Sequence, residues 1–321
     1  MDEARRKELE ERWRVVAESQ PGCVPYLNRR PCRIRQHEDG LTVAEMLEGR
    51  FPGKLGLDGW REVIAKGEIL TADNEVVHDP GMRVKAGDRL IRCLPEWVEP
   101  RVATDLRIVY EDDILLVVDK PAPLPMHEGG RFYKNTIAWM MREAWPEMGV
   151  QHGHRLDAET SGVLICVKTK ATVPGAWKDW NNSVQGQFER GEVEKEYLAL
   201  VHGSPEWEKK LIEHPVRQTG RDWGKPQESQ TIGEVLERRG DGTTLMRMRP
   251  LTGRTHQIRV HLWEEGHSIV GDRLYLPDHE KGGFTIASPG EDGLCLRAWK
   301  LRMKHPLSGE AIEFSVSGDR F

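Results

Sequence analysis

Apolar positions three to four residues apart mark the first helices of the chain. In GLTVAEMLEGRFPG they are Leu41, Ala44, Leu47 and Phe51, and Pro52-Gly53 ends the run. LDGWREVIAKG repeats the pattern with Trp60, Val63 and Ile64, and Gly67 serves as its C-cap. EILTADNEVV predicts a hairpin around Asp73-Asn74, and VKAGDRLIRCL predicts a closing strand after a Gly-Asp turn. Residues 31–95 thus read as a small unit of their own. EWVEP, between Pro95 and Pro100, reads as the linker after it.

Further along, strands outnumber helices and do not alternate with them. LRIVYEDDILLVVDKP predicts two strands around Glu111-Asp112-Asp113, and GVLICVK, EYLALVHG and TTLMRMRP predict one each. The last alternates Met246 and Met248 with Arg247 and Arg249, as a half-buried strand does. TIAWMMREAW gathers Ile137, Met140, Met141 and Ala144 on one helical face. WKDWNNSVQGQFERG also reads as a helix, and THQIRVHLWEEG as one with Thr255 near its start and Gly266 at its end. The pattern predicts an α+β fold on a mixed, mainly antiparallel sheet rather than a doubly wound one.

Composition narrows the class. With 321 residues, 38% hydrophobic and 31% charged, the chain has the size of two globular domains. No apolar stretch approaches the roughly 18 residues of a membrane span. The first thirty residues, dense in both signs of charge, read as an N-terminal extension: a solvated helix or a frayed tail, and no signal peptide. Five scattered cysteines without a C-x-x-C pair argue against a zinc site or a disulfide framework and fit a reducing cytosol. The net charge of −5 places any polyanion contact in local clusters, of which RRPCRIR, with Arg29, Arg30, Arg33 and Arg35, is one. The alternative for that cluster is a solvated loop or edge strand.

Two clusters carry candidate chemistry. HGHRLDAETSGVLICVKTK packs Arg155, Asp157, Thr160 and two histidines against an apolar strand. A carboxylate there suits an N-cap, a structural ion pair, or a catalytic base or nucleophile. About 100 residues later LTGRTHQIRVH supplies Arg254, His256, Arg259 and His261. On a helix Arg259 shares a face with Thr255 and with His256. An Arg near a helix start suits a carboxylate or a phosphate. His152 and His154 read as loop or supporting residues, and His256 and His261 as hydrogen-bonders or RNA contacts, since no carboxylate completes a zinc set. Of the eleven Trp, Trp263, one turn from Arg259, is the candidate stacking platform for a base.

HRLDAETSG, KEYLALV, GRTHQIRVHL and HSIVGDRLY occur in that order, after YEDDILLVVDKPAPLPMH and before LRAWKLRMKHPLSGE. These blocks resemble the RluA-like, ribosomal-large-subunit family of RNA pseudouridine synthases, across residues 106–321. The resemblance implies isomerisation of uridine to pseudouridine in structured RNA, rRNA or tRNA, with no cofactor and no metal. It implies catalytic roles for Asp157, Tyr197 and Arg259: Asp157 as nucleophile or base, Tyr197 against the flipped uracil, Arg259 ion-paired with Asp157. Arg155 would fill the gap left by the extruded base, and Arg254 and His256 would contact RNA. Gly162 would allow a close backbone approach beside the site. Pro123 and GKPQESQT depart from the family pattern in loops.

Residues 31–95 resemble an S-four-type RNA-binding domain, with Arg33, Arg35, Arg61 and Lys66 as its RNA contacts. A ubiquitin-like β-grasp unit is the alternative. Residues 96–105 would then be the linker. A cytoplasmic monomer with RNA as its partner and no membrane association is expected. The competing readings are a catalytically silent RNA-binding or ribosome-assembly factor on the same fold, and hydrolysis of another N-glycoside.

Overall fold

The computed structural model describes residues 1–170, 183–217, 225–283 and 285–318. They divide into two compact units: Gly22–Glu99, and a larger one made of Met1–Pro21 with Pro100–Phe321. The small unit is therefore an insertion in sequence, wider than residues 31–95. Of the two readings of the N-terminal segment, the helix holds and the frayed tail does not. The segment is helix α1 (Glu3–Glu18), part of the larger unit. Leu9, Trp13 and Ala17 fall four apart and are fully buried, so one narrow stripe of an otherwise charged helix holds it down. The Trp13 and Trp145 rings stack at 5.8 Å, and Trp13 Nε1 donates to the Thr104 carbonyl at 2.7 Å. Pro100 to Asp105, expected as linker, likewise belongs to the larger unit, with Val102 buried and joined to Gln20 by two hydrogen bonds.

In the small unit β1 (Tyr26–Arg33) leads to α2 (Val43–Arg50), α3 (Gly56–Ala65), β2 (Ile69–Thr71) and β3 (Arg89–Trp97). The sheet order is β1-β3-β2. Thr42 caps α2 in a reciprocal capping box with Glu45, which is why that helix starts where it does. The helices bury Val43, Ala44, Met46, Leu47, Trp60 and Ile64 on one face of the sheet with Ile69 and Leu90. Asn74 turns the short hairpin at φ 68°. EWVEP is not wholly linker: Trp97 pairs with Tyr26 on β1. Pro95 is tolerated inside β3 because β2 reaches only as far as Arg92, leaving β3 one-sided beyond it.

The larger unit continues with β4 (Arg107–Glu111), β5 (Leu115–Lys120), α4 (Ile137–Ala144), β6 (Val150–His152), β7 (Ser161–Lys168), α5 (Val184–Glu189), β8 (Glu194–His202), β9 (Lys209–Ile212), β10 (Thr231–Arg238), β11 (Thr243–Pro250), α6 (Gln257–Glu264), β12 (Leu296–Lys304) and β13 (Ala311–Ser315). The beginning of the WKDWNNSVQGQFERG helix lies outside the described residues; its end is α5. The strands form one ten-stranded sheet, ordered β4-β5-β7-β12-β8-β11-β10-β9, with β13 beside β12 and β6 beside β7. Among the described residues only β7 and β12 pair in parallel. The mixed α+β architecture matches the pattern expected from sequence.

Positioning of the site depends on the middle of that sheet. Gly162 on β7 faces Ala298 on β12, which faces Tyr197 on β8. A Cβ at Gly162 would stand 2.1 Å from the Ala298 carbonyl oxygen, and its φ is 113°. Only glycine permits this approach of β7 to β12, five residues after Asp157.

Candidate active site

Asp157 lies in the loop before β7, and Thr160 N donates to its carbonyl at 3.1 Å. The following carbonyl, that of Ala158, is held from behind by Lys120 at the end of β5. Its buried ammonium donates to Pro121 O at 3.0 Å, Leu124 O at 2.9 Å and Ala158 O at 3.2 Å. Burial pulls the Lys120 pKa down to about 7, against the raising effect of the Asp157 and Asp119 charges. Lys120 is thus an anchor for the Asp157 loop.

Arg259, on the first turns of α6, stands between two carboxylates. Its Nε and Nη2 bond Asp272 at 2.7 and 2.8 Å, and its Nη1 lies 3.7 Å from Asp157 Oδ2. The expected ion pair with Asp157 is present as the outer, longer contact, and Asp272 is an additional, bidentate partner. Exposure of the side chains rises outward, from 1% at Asp272 through 4% at Arg259 to 31% at Asp157. A row of alternating charge thus runs from the core to the cleft wall. Asp272 is kept in line by Leu274 N and Tyr275 N, which donate to its Oδ1 at 2.9 and 3.0 Å.

His256 lines the cleft with its side chain mostly buried beside Asp157. Its Nε2 is 3.7 Å from the same Asp157 Oδ2, and its Nδ1 is 3.2 Å from the Tyr275 hydroxyl. It caps α6 in the left-handed region at φ 57°, an unusual conformation for a side-chain-bearing residue and a frequent mark of function. Burial lowers its pKa, with Asp157 opposing. Thr255 precedes the helix, so it shares no helical face with Arg259. Gln257 ties the approach loop: its Oε1 accepts from Arg254 N and Thr252 Oγ1, and its Nε2 donates to Gln230 O. The phenol of Tyr197 has its pKa raised by burial, and further by Asp157, so it is neutral.

Asp157, Tyr197, His256, Gln257 and Arg259 line a cleft of about 1530 Å³. Seven Lys or Arg side chains border it against two acids, Asp157 and Glu189. A chain of net charge −5 therefore concentrates positive charge where a polyanion would enter. Arg155 and Arg254 lie exposed along the cleft. His152 also lines it, stacked on His127 at 6.3 Å. His154 supports the loop: its Nε2 accepts from Ile165 N at 3.0 Å and its ring stacks on Phe188 at 4.5 Å, with burial lowering its pKa to about 3. His261 is fully buried between Ser229 Oγ and the His214 carbonyl. Trp263 packs on Tyr275 and His279 and does not line the cleft. Among the described residues no cluster of His, Cys, Asp or Glu could hold a metal, and no helix is long and apolar enough to cross a membrane.

Sequence reading had brought forward Asp157, Tyr197, Arg155, Arg254, His256 and Arg259, and all six line this one cleft. It missed Asp272 and Tyr275 as partners, although both lie in the block HSIVGDRLY. Arg33, Arg35, Arg61 and Lys66 are exposed in the small unit.

A carboxylate held by an arginine and a histidine, beside a neutral phenol in a positively lined cleft, suits nucleophilic or acid–base chemistry on a polyanion. The family model described as RNA pseudouridylate synthase matches residues 114–264. RNA pseudouridine synthase 5 of Arabidopsis thaliana is 31% identical, covering 84% of this chain and 86% of its own. Dual-specificity RNA pseudouridine synthase RluA of Escherichia coli is 32% identical over 67% of this chain and 94% of its own. The solved structure of human RNA pseudouridylate synthase domain containing 1 superposes with a TM-score of 0.51 at 29% identity, covering 66% of this chain and 83% of that one. The chain belongs to the RNA pseudouridine synthase family, as an isomerase of uridine in RNA.

Proposed function

We propose that Asp157 is the catalytic carboxylate of this isomerase, working without a cofactor on a uridine extruded from structured ribosomal RNA. The observation that carries the reading is the shared hold on one oxygen: Arg259 Nη1 and His256 Nε2 each approach Asp157 Oδ2 at 3.7 Å. The Tyr275 hydroxyl, 3.2 Å from His256 Nδ1, holds the ring with Nε2 turned toward the carboxylate. Ionised Asp157, as nucleophile or base, starts the breaking of the C1′–N1 bond. The uracil turns against Tyr197, and C5 then bonds to C1′ while its hydrogen leaves.

A stacked uridine cannot reach the floor of the cleft, and extruding it costs a few kcal/mol, about the loss of one stacking step. Arg155, exposed at the cleft, fills the gap in the stack, and Arg254 meets the backbone nearby. The small unit is an RNA-holding accessory of the S-four type, with Arg33, Arg35 and Lys66 exposed for contact and Arg61 shared with Asp58 at 2.7 Å. The reading extends to a monomer in the cytosol.

Unmodified rRNA and tRNA transcripts, incubated with the enzyme and read for pseudouridine position by position, test this. New sites in rRNA and none in tRNA are expected. Sites in tRNA alone would overturn the assigned substrate.

A further inference from the structure

Charge in the small unit is segregated. Residues 22–99 hold twelve Lys or Arg against thirteen Asp or Glu, yet no acid occurs between Tyr26 and Arg35 or between Arg89 and Pro95. Those two stretches, which include β1 and most of β3, carry six arginines. Arg33 stands directly across from Arg89, and Arg30 across from Arg92. Like charges directly opposite one another destabilise a sheet. The inner pair is accommodated by aromatic faces: Arg30 lies 5.0 Å from the Trp97 ring centre, and Arg92 lies 5.0 and 4.9 Å from Phe51 and Trp60. The outer pair has no such cover. Leu27, Arg29, Pro31 and Arg33 all face outward on β1 and are exposed, as is Arg89 on β3. Among the described residues neither Arg33 nor Arg89 has a carboxylate partner, and Arg29 donates to the neutral Asn74 side chain. The nearest acid in sequence, Asp88, lies in the turn before β3.

The helical side differs. α2 carries Glu45 and Glu48, and its Arg50 is bound to Glu38 at 2.5 Å. α3 balances Arg61 with Asp58 and adds Glu62. A polyanion would find little net attraction there.

We infer that the outer face of the small sheet, through Arg29, Arg33 and Arg89, is the surface by which this unit holds the sugar–phosphate backbone of RNA. The inference rests on the RNA-holding reading of the unit and moves the contact from its helices to its sheet. Arg29 and Arg33, four residues apart on a strand, are separated by about 13 Å, enough to engage separate phosphates. Their planar guanidinium groups suit bidentate phosphate contacts. Pro31 between them and Ile91 opposite supply an apolar floor for ribose or base faces.

The test uses the full chain and an unmodified large-subunit rRNA transcript, with Kd measured across a range of KCl. Arg29→Gln/Arg33→Gln/Arg89→Gln is compared with wild type and with the helix-side control Lys54→Gln/Arg61→Gln. Thermal melts check that each variant folds. The triple variant is expected to bind at least about tenfold more weakly near 0.1 M salt, with a salt slope shallower by about 2 to 3. The control is expected to bind like wild type. A triple variant with the wild-type slope overturns the surface. Wild-type chain without salt-dependent binding overturns both the surface and the RNA-holding reading. Asp157→Asn run alongside separates the catalytic reading: normal modification by that variant sinks the role of Asp157 and leaves the surface standing.

Discussion

Among the described residues the larger unit contains two buried arginines, each gripping an aspartate with two nitrogens, and they serve different ends. Arg297 on β12 bonds Asp119 on β5 at 3.0 and 2.7 Å. Its remaining capacity goes to the Ser317 carbonyl at 2.7 Å and Ser161 Oγ at 3.3 Å. All three nitrogens of that guanidinium meet frame. Arg259 binds Asp272 in the same bidentate way, but its third nitrogen points at Asp157 on the cleft wall. A buried pair whose donors are all used inside the frame is structural. One with a nitrogen left facing a half-exposed carboxylate belongs to a site. Burial and pairing alone do not tell them apart.

The most severe way to break the comparison is to replace each arginine by methionine. Either change leaves an uncompensated buried aspartate, costing about 3–5 kcal/mol of stability by denaturant unfolding. Only Arg259→Met should also lower turnover per folded molecule, by roughly 10²- to 10³-fold, as for removal of a preorganised charge-stabilising donor. Equal turnover in the two folded variants would erase the distinction. Lys120→Met comes next. It strands three buried carbonyls, and the expected cost is about 3 kcal/mol. Turnover should fall too, because Ala158 adjoins Asp157; unchanged melting would remove Lys120 as the anchor.

Smaller again is His256→Asn, expected to lower kcat about tenfold with KM little changed, in keeping with a group that orients a general base or nucleophile. A purely KM effect would return His256 to RNA contact. The mildest prediction concerns acid. His154 has its pKa lowered from 6.5 to about 3, so between those values the unfolded chain binds more protons than the folded one. Stability therefore falls as pH drops through that window. His154→Gln, which keeps an acceptor for Ile165 N, should flatten the acid limb of a melting-temperature profile. An unaltered limb would contradict the neutral assignment.

What could be read from the sequence follows from how local each signal is. The spacing of Ala44 and Leu47, the alternating Met246 and Met248, and Gly162 before an apolar run declare themselves within a few residues. Asp157, Tyr197 and Arg259 came forward through ordered blocks rather than through their local chemistry, which fits a salt bridge or a cap equally well. The choice of Asp272 as partner was hidden, since an Arg on a helix does not declare which of two carboxylates it grips. The docking of α1 was hidden for a different reason: three buried side chains among many charges make a weak stripe, yet Trp13 and Leu9 suffice once Trp145 lies opposite. Pro95 looked like a strand end because the one-sided pairing that tolerates it depends on the length of β2.

Asp157→Asn tests the central claim most directly, in RNA carrying tritium at C5 of uridine. Formation of the C1′–C5 bond expels that hydrogen, so tritium release to water counts turnovers without knowledge of the site. The account predicts release by wild type and none above background by a folded Asp157→Asn that still binds the RNA. Release by that variant at the wild-type rate would contradict it.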